Sequence, residues 1–369
     1  MEKTQLAIVG ASAAGLAAAI SGARAGLDVT LIEAKPEIGT PPSHAIVGLD
    51  VLWPEEVERP PHTVRRRLPG TRVRVSDGRG VFMDGPLTLF DRARFDAYLA
   101  DEARKAGAQI LTGVQGLDAR PDRSLVAPGL ELRPDVLLFA DGARTQASRF
   151  LASTRDPAAV QYGAAMEVYA PEPEDVRVYM TLGTHANGGR SQLNPLGGGR
   201  WSHWTFFRGD PAQGEAIARR ALDVDARIMG WEKLDARFTG VGPDPFYTLP
   251  GQLAGEGVMA AGGAAGQGGL EIGLSSGWLA GETAARTLRG EGTLADYERA
   301  WRRRFGGFYE RARRTNDAIV RLTDAELQTV MSHWDGRHIN MPGRLWQILG
   351  NPRGLLAAMK ASRLARSRT

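Results

Sequence analysis

The residues with the clearest chemical meaning form a short glycine-containing turn near the start of the chain. Gly10, Ser12 and Gly15 follow a brief apolar run and precede a helical pattern, and Glu33 ends the next apolar run. Gly10 permits a tight turn, Gly15 permits close helix–strand packing, and the amino terminus of that helix attracts a diphosphate. An acidic side chain after the second strand accepts hydrogen bonds from a ribose. The pattern predicts a dinucleotide site, and the alternative is a turn with a purely structural role.

The composition excludes several other kinds of chemistry. The chain has no cysteine, which rules out disulfides, thiolate metal ligands and cysteine nucleophiles. The six histidines show no metal-binding spacing, and no set of Ser, His and Asp suggests a hydrolase. We therefore predict no metal site. Glycine is abundant, at 46 of 369 residues, and it clusters in segments suited to loops that approach a ligand closely.

Positive charge is concentrated at the end of the chain. The formal net charge is only +4, whereas residues 344–369 contain six cations and no acid. Because the rest of the chain is close to neutral, we expect no nucleic-acid surface. Residues 344–369 also contain large apolar side chains, which leaves two alternatives. One is contact with an anionic membrane, and the other is a helix packed on the body with a solvated basic end.

The elements around the glycine turn have the pattern needed to position it. A strand is expected over Gln5–Val9, a helix from the turn to Arg24, and a second strand over Asp28–Glu33. This order is the opening of a βαβ unit. Paired strands are then expected over Val64–Phe90, with turns at 76–79 and 84–86, followed by a helix over Arg92–Gly107.

The remaining pattern predicts an α/β protein with a second, antiparallel sheet and a helical tail. Strands are expected over Gln109–Leu117, Asp135–Ala140, Val160–Tyr169, Val176–Leu182, Ser191–Leu196, Trp201–Phe207 and Gly257–Gly262. Helices are expected over Pro211–Arg220, Leu270–Arg289, Asp296–Arg314, Asp324–Trp334 and Pro342–Leu364.

Motifs spread over nearly the whole chain resemble those of flavoproteins. Ala11–Gly15 resembles the GAGPAG turn of FAD-binding oxidoreductases, Asp91–Leu99 resembles a DRxxFDxxL helix start, and Ala140–Arg149 resembles the ADGxxSxxR motif. Lys35–Pro41 and Gly262–Gly277 are similar to segments of geranylgeranyl reductases. The chain thus resembles the geranylgeranyl reductase family, which lies within the p-hydroxybenzoate hydroxylase-like superfamily of FAD-dependent oxidoreductases.

This resemblance implies a domain organisation. It implies a Rossmann-like FAD-binding domain with a three-layer ββα architecture, formed by residues 1–75, 91–150 and 245–290. An antiparallel β-sheet substrate domain, residues 76–90 and 151–244, is inserted into it. A C-terminal helical region covers residues 291–369.

The resemblance also implies the residues that contact FAD. Ala14 and Gly15 would lie on the diphosphate and Glu33 on the adenosine ribose, while Gly269 and Leu270 would begin a helix that faces the flavin. The full set of expected FAD contacts is Gly10, Ser12, Ala14, Gly15, Glu33, Ala45, Arg92, Val114, Asp141, Gly142, Gly263, Gly269 and Leu270. For Arg92 the alternative is a surface arginine at a helix start.

The sequence departs from the family pattern at several points. Gly263 replaces an Asp, and the connection between Gly266 and Gly268 is shorter than in the family. His44 stands where archaeal members carry a cysteine beside the flavin, so we predict a catalytic histidine that donates a proton or a hydrogen bond; the alternative is that it only fills a loop. The family's YxWxFP substrate motif is missing, so Trp201 and Trp204 are the candidate substrate contacts, with packing as their alternative.

The function implied by the resemblance is FAD-dependent hydride transfer. Flavin N5 would exchange a hydride with an apolar substrate such as an isoprenoid lipid or a quinone, and an external donor, NAD(P)H or ferredoxin, would supply electrons. A flavin-dependent monooxygenase is the second interpretation, and a flavin-binding or flavin-free protein without catalysis is the third. We expect a cytoplasmic enzyme, with peripheral membrane contact through the basic C-terminal helix as an additional hypothesis.

Overall fold

The chain is a mixed α/β protein that divides into two compact units. The computed structural model describes residues 2–40, 44–47, 53–152, 161–187, 189–244, 251–340 and 351–367, with backbone alone at 44–47, 352, 355 and 366. Unit 1 comprises Met1–Arg65, Leu89–Ala159 and Pro245–Arg311, and unit 2 comprises Arg66–Thr88, Val160–Asp244 and Ala312–Thr369. Residues 291–311 belong to unit 1 and residues 312–369 to unit 2. The three-part domain organisation implied by the sequence stays a prediction.

The strands and helices have the following bounds. The strands are β1 (Glu2–Val9), β2 (Val29–Ile32), β3 (His44–Val47), β4 (Val64–Val75), β5 (Gly80–Asp91), β6 (Gln109–Leu111), β7 (Asp118–Ala119), β8 (Leu125–Ala127), β9 (Leu130–Phe139), β10 (Gln161–Tyr169), β11 (Val178–Leu182), β12 (Arg190–Gly197), β13 (Arg200–Phe207), β14 (Asp235–Asp244), β15 (Ala254–Gly255), β16 (Val258–Ala260) and β17 (His338–Asn340). The helices are α1 (Ala13–Arg24), α2 (Arg92–Lys105), α3 (Gly214–Met229), α4 (Leu270–Leu288), α5 (Ala295–Trp301), α6 (Gly307–Ile319), α7 (Asp324–Ser332) and α8 (Pro352–Arg366).

Unit 1 is built on a sheet whose central strands are parallel. The strand order is β15-β16-β9-β1-β2-β6, and all neighbours from β16 to β6 run parallel. Strands β1, β2 and β9 end in apolar, fully buried runs, as expected where a parallel sheet is covered on both faces. The turns that follow these strands consequently meet at one edge of the sheet, the edge formed by the carboxyl ends of the strands.

Helices α1 and α4 approach each other unusually closely in unit 1. A Cβ atom added to Gly277 would lie 1.9 Å from the carbonyl oxygen of Ala14, and one added to Gly281 would lie 2.4 Å from that of Ala18. The Ser21 hydroxyl spans the same contact and donates to the carbonyl oxygen of Trp278 at 2.9 Å. Only glycine allows two helix backbones to come this near, so these positions fix where α4 runs relative to α1.

The connection between α5 and α6 contains one wide helical turn. Residues Arg302–Gly306 form a π-helical turn. Phe305 within the turn, Trp301 before it and Tyr309 after it are fully buried in the core of unit 1. Such turns interrupt an α-helix where one extra residue must be accommodated. The sequence pattern predicted a single regular helix over this segment.

Unit 2 contains a second sheet, covered on one face by α3. Its main strand order is β14-β10-β13-β12-β11-β4-β5-β17, mostly antiparallel, with β4 parallel to β11 and β17 parallel to β5. Tyr179, Trp201 and Phe207 pack under α3 against Ile217 and Leu222 of that helix.

A buried ionic network joins α3 to this sheet. Asp225 of α3 accepts hydrogen bonds from Arg74 at 2.9 Å and from His203 at 3.0 Å, and Thr181 donates to the same carboxylate. The four side chains are almost inaccessible to solvent. Although burial alone would raise the pKa of Asp225, the hydrogen bond from His203 and the charge of Arg74 hold it well below its usual range. The carboxylate therefore stays ionised inside unit 2.

The C-terminal helices α7 and α8 pack on unit 2. Ala361 and Ala365 of α8 lie in an apolar cluster with Leu327 and Met331 of α7 and with Val75. Residues 341–350, where the sequence predicted the first part of one long helix over Pro342–Leu364, lie outside the described residues. The described part of that prediction corresponds to α8.

Most predicted elements exist, but three further predictions differ from the structure, besides the interrupted helix after Asp296. The predicted turn at 84–86 lies inside the continuous strand β5. The helix predicted over Pro211–Arg220 begins with a 3₁₀ turn and extends to Met229. Strand β14 was not predicted, because Asp235–Asp244 contains glycine and proline and few strongly apolar residues.

The close contact of α1 and α4 generates a stability prediction. Gly277→Ala should lower the free energy of unfolding by about 3 kcal/mol or more, because the added methyl group overlaps the backbone of Ala14. Gly273→Ala is the matched control, one turn earlier in α4, where an added Cβ meets no atom within 4 Å. The control should be neutral or stabilising by up to about 1 kcal/mol. Urea unfolding measures both, and equal stability of the two variants would contradict the packing.

Candidate active site

The glycine turn after β1 has the geometry required for close approach of a ligand. Gly10 has φ +101°, and a Cβ atom there would lie 2.6 Å from the carbonyl oxygen of Ala140. A Cβ atom on Gly15 would lie 2.0 Å from the carbonyl oxygen of Gly10. Ser12 is the N-cap of α1 and accepts a hydrogen bond from the backbone N–H of Gly15 at 3.3 Å. The turn therefore leads directly into the start of α1, whose first backbone N–H groups have no acceptor within the helix.

Glu33 lies beside this turn at the end of β2. Its carboxylate accepts hydrogen bonds from the backbone N–H of Ala11 at 2.7 Å and of Lys35 at 2.9 Å. The backbone N–H of Val114 donates a hydrogen bond to the carbonyl oxygen of Glu33 at 3.1 Å. The acid predicted to bind a ribose is thus fixed by backbone on both sides.

The turns after β9 and β16 meet beside the same edge. A Cβ atom on Gly263 would lie 3.2 Å from the Cα atom of Gly142, and one on Gly262 would lie 2.9 Å from the Cβ atom of Ala14. Asp141 accepts a hydrogen bond from the backbone N–H of Gln146 at 3.1 Å, which stabilises the turn after β9. Gly263 therefore contacts backbone at the position where the family pattern has a carboxylate.

The shortened loop before α4 is held by side chains that the sequence reasoning missed. Gln267 is buried and accepts a hydrogen bond from the backbone N–H of Gly262 at 2.8 Å. The Tyr309 hydroxyl accepts from the Gly268 N–H at 2.8 Å and donates to its carbonyl oxygen at 2.9 Å. The motif search could not find Tyr309, because it lies 41 residues away in sequence and belongs to no motif.

Helix α4 then starts at the predicted residues. Gly269 is its N-cap with φ +94° and Leu270 is its first residue. Because α4 is pressed against α1 through Gly277, the two helix amino termini belong to one rigid arrangement in unit 1. The positive ends of the α1 and α4 helix dipoles are therefore both available to a ligand with negative charge.

Arg92 forms an ion pair within α2. Its guanidinium forms a two-point ion pair with Asp96, with distances of 2.9 and 2.8 Å from Nε and Nη2 to the carboxylate oxygens. Burial raises the pKa of Asp96 above its usual range, and the charge of Arg92 opposes this shift. Arg92 neutralises a buried acid within α2, and a contact with FAD stays a prediction.

The position of His44 is described only through its backbone. Strand β3, which contains His44 and Ala45, lies against α2 and α4 in unit 1. The side chains of both residues lie outside the described part of the structure. Their predicted roles at the flavin therefore remain predictions.

The two candidate substrate tryptophans lie on opposite faces of the unit 2 sheet. Trp201 is fully buried under α3, where its indole N–H donates to the carbonyl oxygen of Ala170 at 3.0 Å. It is therefore a core residue and presents no surface to a substrate. Trp204, three residues later in the same strand, is half-buried on the other face and stacks with Phe206 at 6.2 Å between ring centroids.

The residues present at the unit 1 edge fit FAD. The positions nearest the diphosphate would not accept a side chain, a carboxylate is fixed at the end of β2, and two helix amino termini serve the same edge. Ligands of open parallel sheets bind at the carboxyl ends of the strands, where these residues lie. Gly10, Ser12, Ala14, Gly15, Glu33, Val114, Asp141, Gly142, Gly263, Gly269 and Leu270 would hold it.

Comparisons with known proteins agree with this geometry. The family model described as FAD dependent oxidoreductase matches residues 5–127. The chain is 27% identical to digeranylgeranylglycerophospholipid reductase 1 of Methanothermobacter thermautotrophicus over 354 residues, covering 88% of each chain. It superposes with a geranylgeranyl bacteriochlorophyll reductase-like protein of Thermoplasma acidophilum at a TM-score of 0.77 and 17% identity, covering 98% and 96% of the two chains. For p-nitrophenol 4-monooxygenase of Pseudomonas putida the TM-score is 0.69 at 18% identity, covering 98% and 99%.

The fold and the matched family model together define the class: the chain is an FAD-dependent oxidoreductase, and FAD is its cofactor. Within that class its sequence is similar to the archaeal digeranylgeranylglycerophospholipid reductase over most of both sequences. Among the described residues there is no group of side chains that could hold a metal ion.

The contacts of Glu33 generate a binding prediction. Glu33→Gln should weaken FAD binding by about 1.5–3 kcal/mol, because the amide turns a donor toward backbone N–H groups and loses a charge-assisted bond to the ribose. Glu37→Gln, on an exposed residue of the same loop, is the matched control. Fluorescence titration with FAD measures both. Unchanged affinity in Glu33→Gln would show that this carboxylate does not contact the cofactor.

Proposed function

We propose that this protein is an FAD-dependent reductase that saturates carbon–carbon double bonds of an isoprenoid lipid. The observation that carries the proposal is the FAD cradle at the carboxyl edge of the unit 1 sheet, in a chain similar over most of its length to an enzyme named digeranylgeranylglycerophospholipid reductase. When bound, reduced FAD supplies a hydride from N5. Saturation of each double bond also consumes one proton, and the flavin is oxidised in the process.

The residues of this chain would provide binding, orientation and electrostatics. The turn Gly10–Gly15 and the start of α1 bind the diphosphate, and Glu33 orients the ribose. The start of α4 stabilises negative charge on the reduced cofactor, since its N–H groups carry the positive end of the helix dipole. We assign the proton to His44, because β3 contacts α4 and histidine exchanges protons near neutral pH.

Trp204 is the proposed substrate contact in unit 2. Trp204 forms an aromatic surface with Phe206. Gly163 is paired with Phe206 on the neighbouring strand β10 and has no side chain that could cover this surface. A Cβ atom on Gly163 would lie only 3.4 Å from the Trp204 ring. The guanidinium of Arg190 lies 4.1 Å from the centroid of the Phe206 ring, so the Trp204 ring is the part of this surface proposed to contact an isoprenoid chain, which offers few polar groups.

A flavin-dependent monooxygenase is the second candidate. The observation that favours it is the structural similarity to p-nitrophenol 4-monooxygenase, which covers nearly the whole of both chains. The two candidates differ in what accepts electrons from the reduced cofactor, which is the lipid double bond in one and molecular oxygen in the other. The source of electrons, NAD(P)H or ferredoxin, is common to both.

One experiment tests the function and the role of His44. The purified protein should show flavin absorbance, and after anaerobic reduction it should be reoxidised by a geranylgeranyl-containing glycerophospholipid, with a mass gain of two hydrogens per double bond. His44→Ala should slow reoxidation by about 10²–10⁴-fold, as expected for loss of a general acid, whereas His62→Ala, on an exposed histidine, should not.

The outcomes of this experiment separate the candidates. Reoxidation only by oxygen, with a hydroxylated product, would favour the monooxygenase. A colourless protein that binds no FAD would contradict both. Wild-type rates in His44→Ala and His44→Cys, with lipid reduction intact, would contradict the proton donor but not the reductase.

We also propose that α8 contacts an anionic membrane surface. Leu356, Met359 and Leu364 are 65%, 46% and 41% exposed, and helical spacing places them on one face with Arg353, Lys360 and Arg363. Ala361 and Ala365 lie on the opposite, buried face. Exposed apolar residues among cations, without acids, are typical of helices that lie on lipid head groups. Among the described residues, no helix is long and apolar enough to cross a membrane.

The composition of α8 generates a vesicle-binding prediction. The protein should co-sediment with vesicles containing phosphatidylserine at low salt and be released at high salt, with each cation contributing on the order of 1 kcal/mol. Replacing Leu356 and Lys360 by Ser and Gln should reduce binding, whereas Arg219→Gln on the exposed side of α3 should not. Absence of binding at low salt would support the alternative of a packed helix with a solvated basic end.

A further inference from the structure

Glu271 is a buried acid at the start of α4. It is the second residue of that helix, directly after Leu270, and it is only 7% exposed. It is also the only charged residue between Glu256 and Glu282 in the sequence. Acidic side chains are seldom buried, because an ionised carboxylate then loses its hydration. Neither the glycine motifs nor the FAD cradle described above gives this residue a role.

The carboxylate of Glu271 lies at the amino-terminal end of α4, close to the N-cap residue. A Cβ atom added to Gly269 would lie 3.6 Å from Oε2 of Glu271 and 3.9 Å from its Cδ atom. The side chain is thus directed back toward Gly269. The first backbone N–H groups of α4 form the positive end of the helix dipole at this same place. A carboxylate and the positive end of a helix dipole therefore share one turn.

Helix stability alone is one explanation of this arrangement. An acid in the first turn of a helix interacts favourably with the helix dipole. The first-turn acids of other helices serve this purpose from the surface, since Glu215 of α3 is exposed and Asp296 of α5 and Asp324 of α7 are half-buried. Glu271 differs from them because it is buried, where a charge costs more and acts more strongly on its surroundings.

The charge of the cofactor changes when it is reduced. In the function proposed above, on which this inference rests, the start of α4 stabilises the negative charge of reduced FAD. A carboxylate in the same turn opposes this stabilisation, and a buried site screens its charge far less than water does. The carboxylate therefore favours the oxidised, neutral flavin over the reduced, anionic flavin.

We propose that Glu271 lowers the reduction potential of bound FAD and so makes the reduced cofactor a stronger hydride donor. Saturation moves a hydride from anionic reduced FAD to one carbon of the double bond and a proton to the other carbon, which leaves neutral FAD and a carbon–carbon single bond. Because the flavin loses its negative charge in this step, repulsion by the carboxylate favours the transfer. An isoprenoid double bond carries only alkyl substituents, so it is a poor hydride acceptor and requires a strong donor.

The test measures the midpoint potential of FAD bound to the full chain, by anaerobic equilibration with a reference dye. Glu271→Gln removes the charge and keeps the shape of the side chain. It should raise the potential by about 30 mV or more, which is a tenfold change in the two-electron equilibrium constant. Glu271→Asp keeps the charge and should stay close to the wild type. Glu282→Gln is the matched control, because Glu282 is an exposed acid about 16 Å further along α4.

Sulfite binding gives a second measurement that needs neither an electron donor nor a lipid. Sulfite adds to N5 of oxidised flavin, and the adduct carries negative charge on the flavin ring. Its dissociation constant should therefore fall about tenfold in Glu271→Gln and stay unchanged in Glu282→Gln. A role of Glu271 in helix stability alone would change the urea midpoint of unfolding and would leave both the potential and the sulfite affinity unchanged.

Each outcome supports or overturns the proposal. Unchanged potential and sulfite affinity in Glu271→Gln would overturn it. Shifts of equal size in Glu282→Gln or Glu271→Asp would overturn it as well, because the effect would then not follow the buried charge. Loss of FAD from Glu271→Gln would show that the residue holds the cofactor and does not tune it. If the potential shifts as expected but the wild type reduces no lipid, the reductase function fails and the role of Glu271 stands.

Discussion

The contact between α1 and α4 is the constraint on which the flavin cradle depends. Gly277 and Gly281 bring the backbones of the two helices together, and Ala14, which lies in this contact, is also in the turn that begins α1. The same alanine lies against Gly262, so segments of the chain that are some 250 residues apart converge on one small residue. The flavin cradle thus depends on positions that have no side chain, where backbones lie in direct contact. A substitution that changes the packing of α1 and α4 therefore also changes the geometry of the cradle.

Unit 2 uses a different means of holding its layers together. Arg74, Asp225 and His203 form a nearly inaccessible ionic network between α3 and the sheet, where most proteins would place apolar residues. Such a network contributes little net stability relative to a well-packed apolar core, because its charges must leave water. It does require one specific alignment of helix and strands, since any slip would leave a buried charge without its partner.

The site could be predicted where function imposes a local pattern on the sequence. Gly10, Gly15, Glu33 and Gly269 are recognisable because backbone geometry and cofactor chemistry restrict residue type at fixed spacing. Tyr309 could not be predicted in this way, because its contact with Gly268 depends on how distant segments pack.

The strand tryptophans show a prediction that the sequence did permit. Trp201 and Trp204 are separated by three residues, an odd number, so in a strand they must point to opposite faces. Only one of them could ever face a substrate, and the period of two in β13 makes this plain. Arg92 differs, because its pairing with Asp96 at a spacing of four is equally compatible with a cofactor contact and with an ion pair inside a helix.

The π-helical turn at Arg302–Gly306 determines which way Tyr309 points. A turn of this kind holds one residue more than the corresponding turn of a regular α-helix. Removing one residue would restore the regular helix and rotate everything after it by about 100° around the axis. Tyr309 would then leave Gly268, and the loop before α4 would lose its only side-chain support from this helix in the described structure. The hydrogen bonds that Tyr309 makes to the loop before α4 therefore depend on the one extra residue in this turn.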